Sequence, residues 1–208
     1  WLVAKNKRGA ASKTIAIFCL AGIAVLALAY VVPATGVAHR VDEALSDIQR
    51  YMRNQDATTS VGIRLELWKA SWMMLSDHPW LGVGRDQFRP ALLALAAQGR
   101  LPLSPALEFS SSHNDALHFL ATGGLLDFSF LLLLYGAPLV FFARVWRQAQ
   151  QQADHVRAEA ALAGLVLVLC FIGFGLTDVM FWLMMTKVFY VMMVGVLAGF
   201  CLIDNSKQ

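Results

Sequence analysis

One histidine stands where a general base would be expected. His113 and Asn114 follow three consecutive serines and come just before a long apolar run. The first N–H groups of a helix lack partners within the helix, so this position favours a bound anion. The positive end of the helix dipole also favours a neutral imidazole, which can accept a proton near pH 7. The pattern indicates a general base, although it is also typical of a polar residue that caps a helix at a water interface.

Two arginines are candidates for binding phosphate beside this histidine. Arg40 follows the first apolar run of the chain, and Arg64 lies within an amphipathic pattern. A guanidinium group can bind two phosphate oxygens at once, in a geometry that lysine does not reproduce. If the intervening segment folds back over His113, both arginines could reach the same anion. Each is also the kind of side chain that pairs with a surface carboxylate, and three other arginines are weaker candidates: Arg85, Arg89 and Arg100.

The elements that position these residues are predicted to be membrane helices. The chain has 208 residues, of which 58% are hydrophobic and 15% are charged. The apolar residues are concentrated in four runs, each close to the roughly 20 residues that cross a bilayer: 14–32, 116–142, 160–176 and 180–203. The first run is too long for the apolar core of a signal peptide. Because the chain begins with Trp1, we expect further helices of the same protein to precede it.

The basic residues predict the topology. Lysine and arginine in short connections resist translocation, so the segments that carry them lie in the cytoplasm. They occur before the first run, between the second and third runs, and after the fourth. We therefore predict a cytoplasmic basic segment and first transmembrane helix over 1–32, a periplasmic loop domain over 33–115, three further transmembrane helices over 116–203, and a cytoplasmic tail over 204–208.

The predicted periplasmic loop contains patterns typical of two helices. The first has an apolar stripe at helical spacing, made of Val61, Leu65, Trp68, Trp72 and Leu75. Residues 58–60 offer caps for it, and His78–Pro79 ends it. A shorter helix follows, with Pro90 in its first turn and Gly99 just past its end. Residues 101–112 are predicted to be irregular, and we expect the loop to lie along the membrane surface.

Two charges fall within the predicted membrane helices. Asp127 and Lys187 would be costly in lipid, so we expect them to face the interior of the bundle, and a structural pair is favoured over a catalytic one. His118 is five residues after His113, about 140° around the helix, and should point elsewhere.

Other classes of function lack support in the sequence. Cys19, Cys170 and Cys201 all lie in apolar runs, so we predict no disulfide. The formal net charge of +3 is explained by the topology, and nucleic acid is not expected as a partner. The sequence has no paired aspartates, no metal-binding histidine pair and no glycine loop of the nucleotide-binding type.

Several segments together resemble the O-antigen ligase and polymerase superfamily of bacterial membrane glycosyltransferases. They are the run 64–70, the segment DHPWLGVG at 77–84, His113–Asn114 with Gly124 ten residues on, and the tail 174–178. The resemblance covers about residues 40–203 and rests on the order of the segments and the topology. One departure is Asp127, where the family often has Gly, Thr or Tyr.

The resemblance implies a fold, a reaction and a site. The fold is an all-α, GT-C-like membrane bundle, completed by the preceding helices, so this chain alone should be inactive. The reaction transfers a polysaccharide from undecaprenyl pyrophosphate to the lipid A core at the periplasmic face of the inner membrane, with no metal or other cofactor. His113 would be the catalytic base, Arg64 and Arg40 would bind pyrophosphate, and Asn114 is the polar residue after the histidine.

Two alternatives stay open at this point. A polymerase or a protein O-oligosaccharyltransferase of the same superfamily would differ only in its acceptor. A transporter of a lipid-linked glycan would instead use Asp127 and Lys187 as its pathway, and His113 would merely cap a helix.

Overall fold

The computed structural model describes residues 20–54 and 58–203, and all regular structure in these ranges is helical. The helices are α1 (Leu20–Val31), α2 (Val37–Asn54), α3 (Ser60–Asp77), α4 (Phe88–Ala97), α5 (Asp115–Gln152), α6 (His155–Gly175) and α7 (Met184–Leu202). Short 3₁₀ turns occur at Pro33–Thr35, Arg85–Gln87 and Pro105–Glu108. The chain divides into two compact units, Trp1–Asp56 and Ala57–Gln208.

The first unit contains α1 and α2. The first predicted membrane run, 14–32, lies partly outside the described residues, and its described part is helical as far as Val31. The chain then turns at Gly36, whose φ of 69° is left-handed and whose N–H donates to the carbonyl of Pro33. The helix α2, which follows directly, was not predicted from the sequence.

The second unit contains three helices that are long and apolar enough, by length and composition, to cross a membrane. They are α5, α6 and α7, with mean hydropathies of 2.0, 2.2 and 1.8. They match the second, third and fourth predicted runs, and the all-α membrane fold is confirmed. The last helix begins at Met184, four residues later than predicted, because residues 176–183 form an irregular turn between α6 and α7.

The predicted continuous helix 116–142 is wrong in one respect, because α5 is broken at Gly124. This glycine has φ 63° and ψ −158°, which no helix contains. The hydroxyl of Tyr135 donates to the carboxylate of Asp115 at 2.8 Å. In a straight helix these twenty residues would separate the two by about 30 Å, far more than their side chains can span. The chain therefore folds back at Gly124 into a first arm, residues 115–123, and a second arm, residues 125–152.

The loop 79–84 is inserted into this break. A broken helix leaves backbone carbonyls and N–H groups without their usual partners four residues away. Here the loop supplies four replacements, namely Val83 N to Ala121 O, Gly84 N to Thr122 O, Leu125 N to Pro79 O and Leu126 N to Trp80 O, at 2.9 to 3.3 Å. The HPWLGVG segment thus satisfies the backbone groups that the break in the helix leaves free.

Two glycines allow this close approach. Gly82 has φ 60°, and a Cβ there would lie 2.4 Å from the backbone carbon of Thr122. A Cβ on Gly124 would lie 2.4 Å from the backbone carbon of Trp80. Both positions combine a left-handed backbone with backbone contact, so only glycine fits them without displacing the chain.

The helix α3 begins and ends as predicted but buries a different face. The Thr59 hydroxyl accepts from Gly62 N at 3.0 Å, and His78 is the residue that ends the helix. Its buried residues, listed by helical position, are Gly62, Glu66, Leu67, Ala70, Ser71 and Met74. At 100° per residue this face lies opposite the predicted apolar stripe, on which Trp72 is 62% exposed. Leu67, Ala70 and Met74 on this face belong to the same core cluster as residues of α4 and the first arm of α5, so tertiary contacts decided which face is buried.

Two apolar clusters hold the second unit together. One joins α3 and α4 to the first arm of α5, through residues that include Leu67, Phe88, Leu92 and Ala121. The shorter helix α4 contains Pro90 near its start, and Gly99, with φ 71°, follows its end as predicted. The other cluster joins the second arm to α6 and α7, where the aromatic rings of Phe171 and Tyr190 lie 4.8 Å apart.

Candidate functional site

His113 directly precedes Asn114, the N-cap of the first arm of α5, and its side chain is partly exposed. Its φ of 50° is left-handed, which is uncommon for a residue other than glycine and is unfavourable by about 1 kcal/mol or more. Its Nδ1 lies 3.3 Å from Oδ1 of Asp178, and its ring meets the edge of Phe109 at a centroid distance of 5.3 Å. The imidazole is therefore held on two sides.

Asp178 is the partner that sequence reasoning missed. It lies in the turn after α6, 65 residues from His113, and its Oδ1 also accepts from Val179 N at 2.8 Å. A carboxylate at Nδ1 selects the tautomer in which that nitrogen carries the proton. The other ring nitrogen, Nε2, then has a lone pair that can accept a proton. A weak signal existed, since both residues fall at the same predicted end of neighbouring helices.

Asn114 is the cap of the first arm and also binds the end of α6. Its Oδ1 accepts from Leu117 N at 3.0 Å, and its Nδ2 donates to the carbonyl of Leu176 at 3.1 Å. Both ends of its amide thus fix the start of α5 against the turn that carries Asp178. Its predicted contact with substrate stays a prediction.

Asp115 reinforces the same junction from inside. Its side chain is buried, and Tyr135 donates to one of its oxygens at 2.8 Å. The same oxygen, Oδ2, lies against Gly175, where an added Cβ would come within 2.6 Å of it. The first arm, the second arm and α6 therefore meet directly behind His113.

Arg64 lies on α3, one turn before a residue that contacts the segment preceding His113. Trp68 donates from Nε1 to the carbonyl of Ser112 at 3.1 Å, which joins α3 to the residue before His113. Arg64 precedes Trp68 by four residues and so lies on the same side of the helix, one turn away. It is half-buried, and within the part of the chain that the structure describes its guanidinium has no ion pair or hydrogen bond. This leaves it available for an anion.

Arg40 lies in the other unit, on α2, where its Nη1 is 3.4 Å from the carboxylate of Glu43. Its contribution to the site stays a prediction. The three weaker candidates have partners of their own, because Arg85 contacts Asp127, Arg89 contacts the carbonyl of Leu107 and Arg100 contacts Asp77. The bidentate contact with Arg100 holds the pKa of Asp77 below its usual range.

Asp127 and Lys187 do not lie where the sequence placed them. The break at Gly124 puts Asp127 in the first turn of the second arm, and Lys187 lies in the first turn of α7. Both line one cavity of about 520 Å³, as predicted for inward-facing charges. The ion pair of Asp127, however, is with Arg85 Nε at 3.3 Å. Both charges therefore lie near the starts of helical segments and not at the expected positions deep in the membrane.

The same cavity receives His118, which points away from His113 as expected. Its ring is 5% exposed and packs against the rings of Phe88 and Trp182. Thr122, one turn further on, donates to the carbonyl of His118 at 2.7 Å. His118 thus belongs to the packing of the first arm.

These features define a membrane protein with a histidine–carboxylate pair at the junction of two membrane helices. The family model described as O-Antigen ligase matches residues 1–132. The chain belongs to this family.

Two curated proteins illustrate the relationship. The O-antigen ligase of Escherichia coli strain K12 is 28% identical over 162 residues, which is 77% of this chain and 35% of that protein. An uncharacterized protein of Haemophilus influenzae strain Rd is 28% identical over 115 residues, which is 54% of this chain and 28% of that protein. The matched regions thus cover about a third of the length of each relative.

Proposed function

We propose that the protein is an O-antigen ligase. It would transfer a polysaccharide from undecaprenyl pyrophosphate to a hydroxyl of the lipid A core, at the periplasmic face of the bacterial inner membrane. The observation that carries the proposal is the contact between His113 and Asp178 at 3.3 Å, at the start of a membrane helix in a member of this family.

In the proposed reaction His113 acts as a general base. Its Nδ1 donates to Asp178, and its Nε2 takes the proton of the acceptor hydroxyl. The acceptor oxygen forms a bond to the anomeric carbon of the sugar as the bond from that carbon to the pyrophosphate oxygen breaks. The leaving pyrophosphate keeps the electron pair. A single displacement inverts the anomeric centre, and the charge of Asp178 stabilises the imidazolium that forms.

Arg64 would stabilise the charge that develops on the leaving group. Its side chain is half-buried, one turn from the tryptophan that contacts Ser112, and a guanidinium in such a position interacts more strongly than one in bulk water. Arg40 is the second candidate for this role. We propose that guanidinium groups take the part that a divalent metal plays in other glycosyl transfers.

The exported face follows from the basic residues near the opposite ends of the helices. Arg144 and Arg147 lie in the last turns of α5, and Arg157 lies in the first turn of α6. If these face the cytoplasm, His113 and Asp178 face the periplasm. Trp72, Trp80 and Leu81 are 62% to 72% exposed, as expected for side chains in contact with a bilayer surface.

The test is a transfer assay in proteoliposomes that contain the complete polypeptide, a lipid-linked glycan, and either the lipid A core or a serine-bearing protein. We expect His113→Ala to lower the rate by about 10³-fold. Asp178→Asn should lower kcat by about 10²-fold with little change in KM, because the ring stays but loses its charged partner.

His78→Ala is the matched control, since His78 is exposed at the end of α3, and it should transfer at the parent rate. Transfer retained by His113→Ala would contradict the catalytic assignment. Transfer to the protein but not to the lipid A core would leave the chemistry intact and assign the other acceptor class.

A further inference from the structure

A groove of about 630 Å³ runs along the second arm of α5 at the end of the bundle opposite His113. Apolar side chains line most of it, among them Leu133, Val140 and Phe141. Arg144, Gln148 and Arg157 line its polar end. Arg157 is eighteen residues from the end of α6, about 27 Å from the turn that carries Asp178. The groove is therefore separate from the candidate site.

The two arginines of the groove have no anionic partner in the described parts of the chain. Within residues 20–54 and 58–203, neither Arg144 nor Arg157 forms an ion pair. Nε of Arg157 is buried and has no hydrogen-bond acceptor there. A buried N–H without an acceptor is unfavourable, so a bound group that accepts from it would stabilise the protein.

The groove is amphipathic in the manner of a single lipid. Its polar end carries two positive charges and an amide, and its apolar part extends along the helix from Arg144 back to Leu132, about 18 Å. In the predicted topology this polar end lies at the cytoplasmic surface, where anionic lipids are found, and basic pockets between membrane helices there bind their head groups. A guanidinium pair suits a phosphodiester, whereas the ammonium of a zwitterionic lipid would meet like charge.

We propose that this groove is a binding site for an anionic phospholipid, with its phosphate on Arg144 and Arg157 and an acyl chain along Leu133 and Val140. The site is independent of the proposed transfer reaction. It would hold the cytoplasmic ends of α5 and α6 together through a ligand that the bilayer supplies.

The test uses the complete polypeptide in neutral detergent, titrated with phosphatidylglycerol or phosphatidylcholine and observed by native mass spectrometry. We expect one saturable phosphatidylglycerol adduct and no saturable phosphatidylcholine adduct. Arg144→Gln combined with Arg157→Gln should weaken the dissociation constant at least tenfold. Arg144→Gln alone, at an exposed position, should weaken it several-fold and guards against misfolding of the double variant.

Arg147→Gln is the matched control, because Arg147 is exposed on the same helix and does not line the groove. It should bind phosphatidylglycerol as the parent does. An equal loss in Arg147→Gln would indicate diffuse attraction and overturn the proposal. Equal binding of phosphatidylcholine, or displacement of the adduct by millimolar inorganic phosphate, would overturn it as well, since the site would then recognise an acyl chain or a free anion.

Discussion

At the scale of residues, the site depends on contacts between side chains that are far apart in the sequence. His113 alone is an ordinary residue before a helix. Its backbone is left-handed and its Nδ1 contacts Asp178, and in the proposed reaction the other ring nitrogen takes the proton of the acceptor. Asn114 and Asp115 hold the two helices that carry this pair. In the proposed reaction His113 contacts the acceptor, and the other three residues position its ring.

The role of Arg64 can be separated from that of a simple positive charge. Lysine keeps the charge but not the two parallel N–H donors. We expect Arg64→Lys to lower kcat/KM for the lipid-linked donor by about tenfold or more, corresponding to about 1.4 kcal/mol of transition-state stabilisation. Steady-state kinetics with varied donor measure this loss. Arg89→Lys, in the same unit, should change it little, and a neutral Arg64→Lys would show that Arg64 only packs along the surface.

At the scale of elements, the break in α5 positions the histidine. Since the first arm folds back beside the second, His113 lies next to the end of α6 and not above the bundle. The loop 79–84 makes the break possible because it takes over four backbone hydrogen bonds. Gly124, ten residues after Asn114, thus allows the chain to fold back at the break.

This account predicts a clear difference between two glycines of the same helix. Gly124→Ala places a Cβ against the backbone of Trp80 and should lower the free energy of unfolding by at least about 2 kcal/mol. Gly136→Ala, where the added Cβ meets nothing within 4 Å, should be neutral or stabilising by up to about 1 kcal/mol. Thermal unfolding in detergent compares the two. Equal melting temperatures would show that the loop is not held in the break.

At the scale of the whole molecule, two charges predicted to lie deep in the membrane helices are found at helix starts. Asp127 and Lys187 lie in first turns of helices at one end of the bundle. The transporter hypothesis places both charges deep in the membrane interior, and positions in the first turns of helices do not favour it.

We therefore expect substitutions of these charges to leave glycan transfer largely intact. Lys187→Met should keep the transfer rate within about twofold. Asp127→Asn should lower stability by only about 0.2–1 kcal/mol, because its pair with Arg85 is largely solvated on the arginine side. The transfer assay and thermal unfolding measure both effects. Loss of transfer in either variant, with the protein still inserted, would revive a functional role for the cavity they line.

The sequence by itself determined the features that depend on local composition. Runs of apolar residues predict membrane helices because the bilayer requires about 20 of them, whatever the neighbouring contacts. Proline and glycine likewise predicted the end of α3 and the limits of α4, since their backbone restrictions act locally. His113 and Arg64 were predicted as site residues because of their types and surroundings within the predicted periplasmic loop, and those roles stay predictions.

Only the tertiary structure decided which residues meet. The partner of His113 lies 65 residues away, and no local pattern specifies that distance. The fold-back at Gly124 depends on backbone groups of the loop 79–84. The buried face of α3 depends on its contacts with α4 and the first arm of α5, which the pattern within α3 does not specify. Local sequence determines where helices form. Packing and hydrogen bonds between distant segments determine where the helices break, which of their faces are buried, and the geometry of the site.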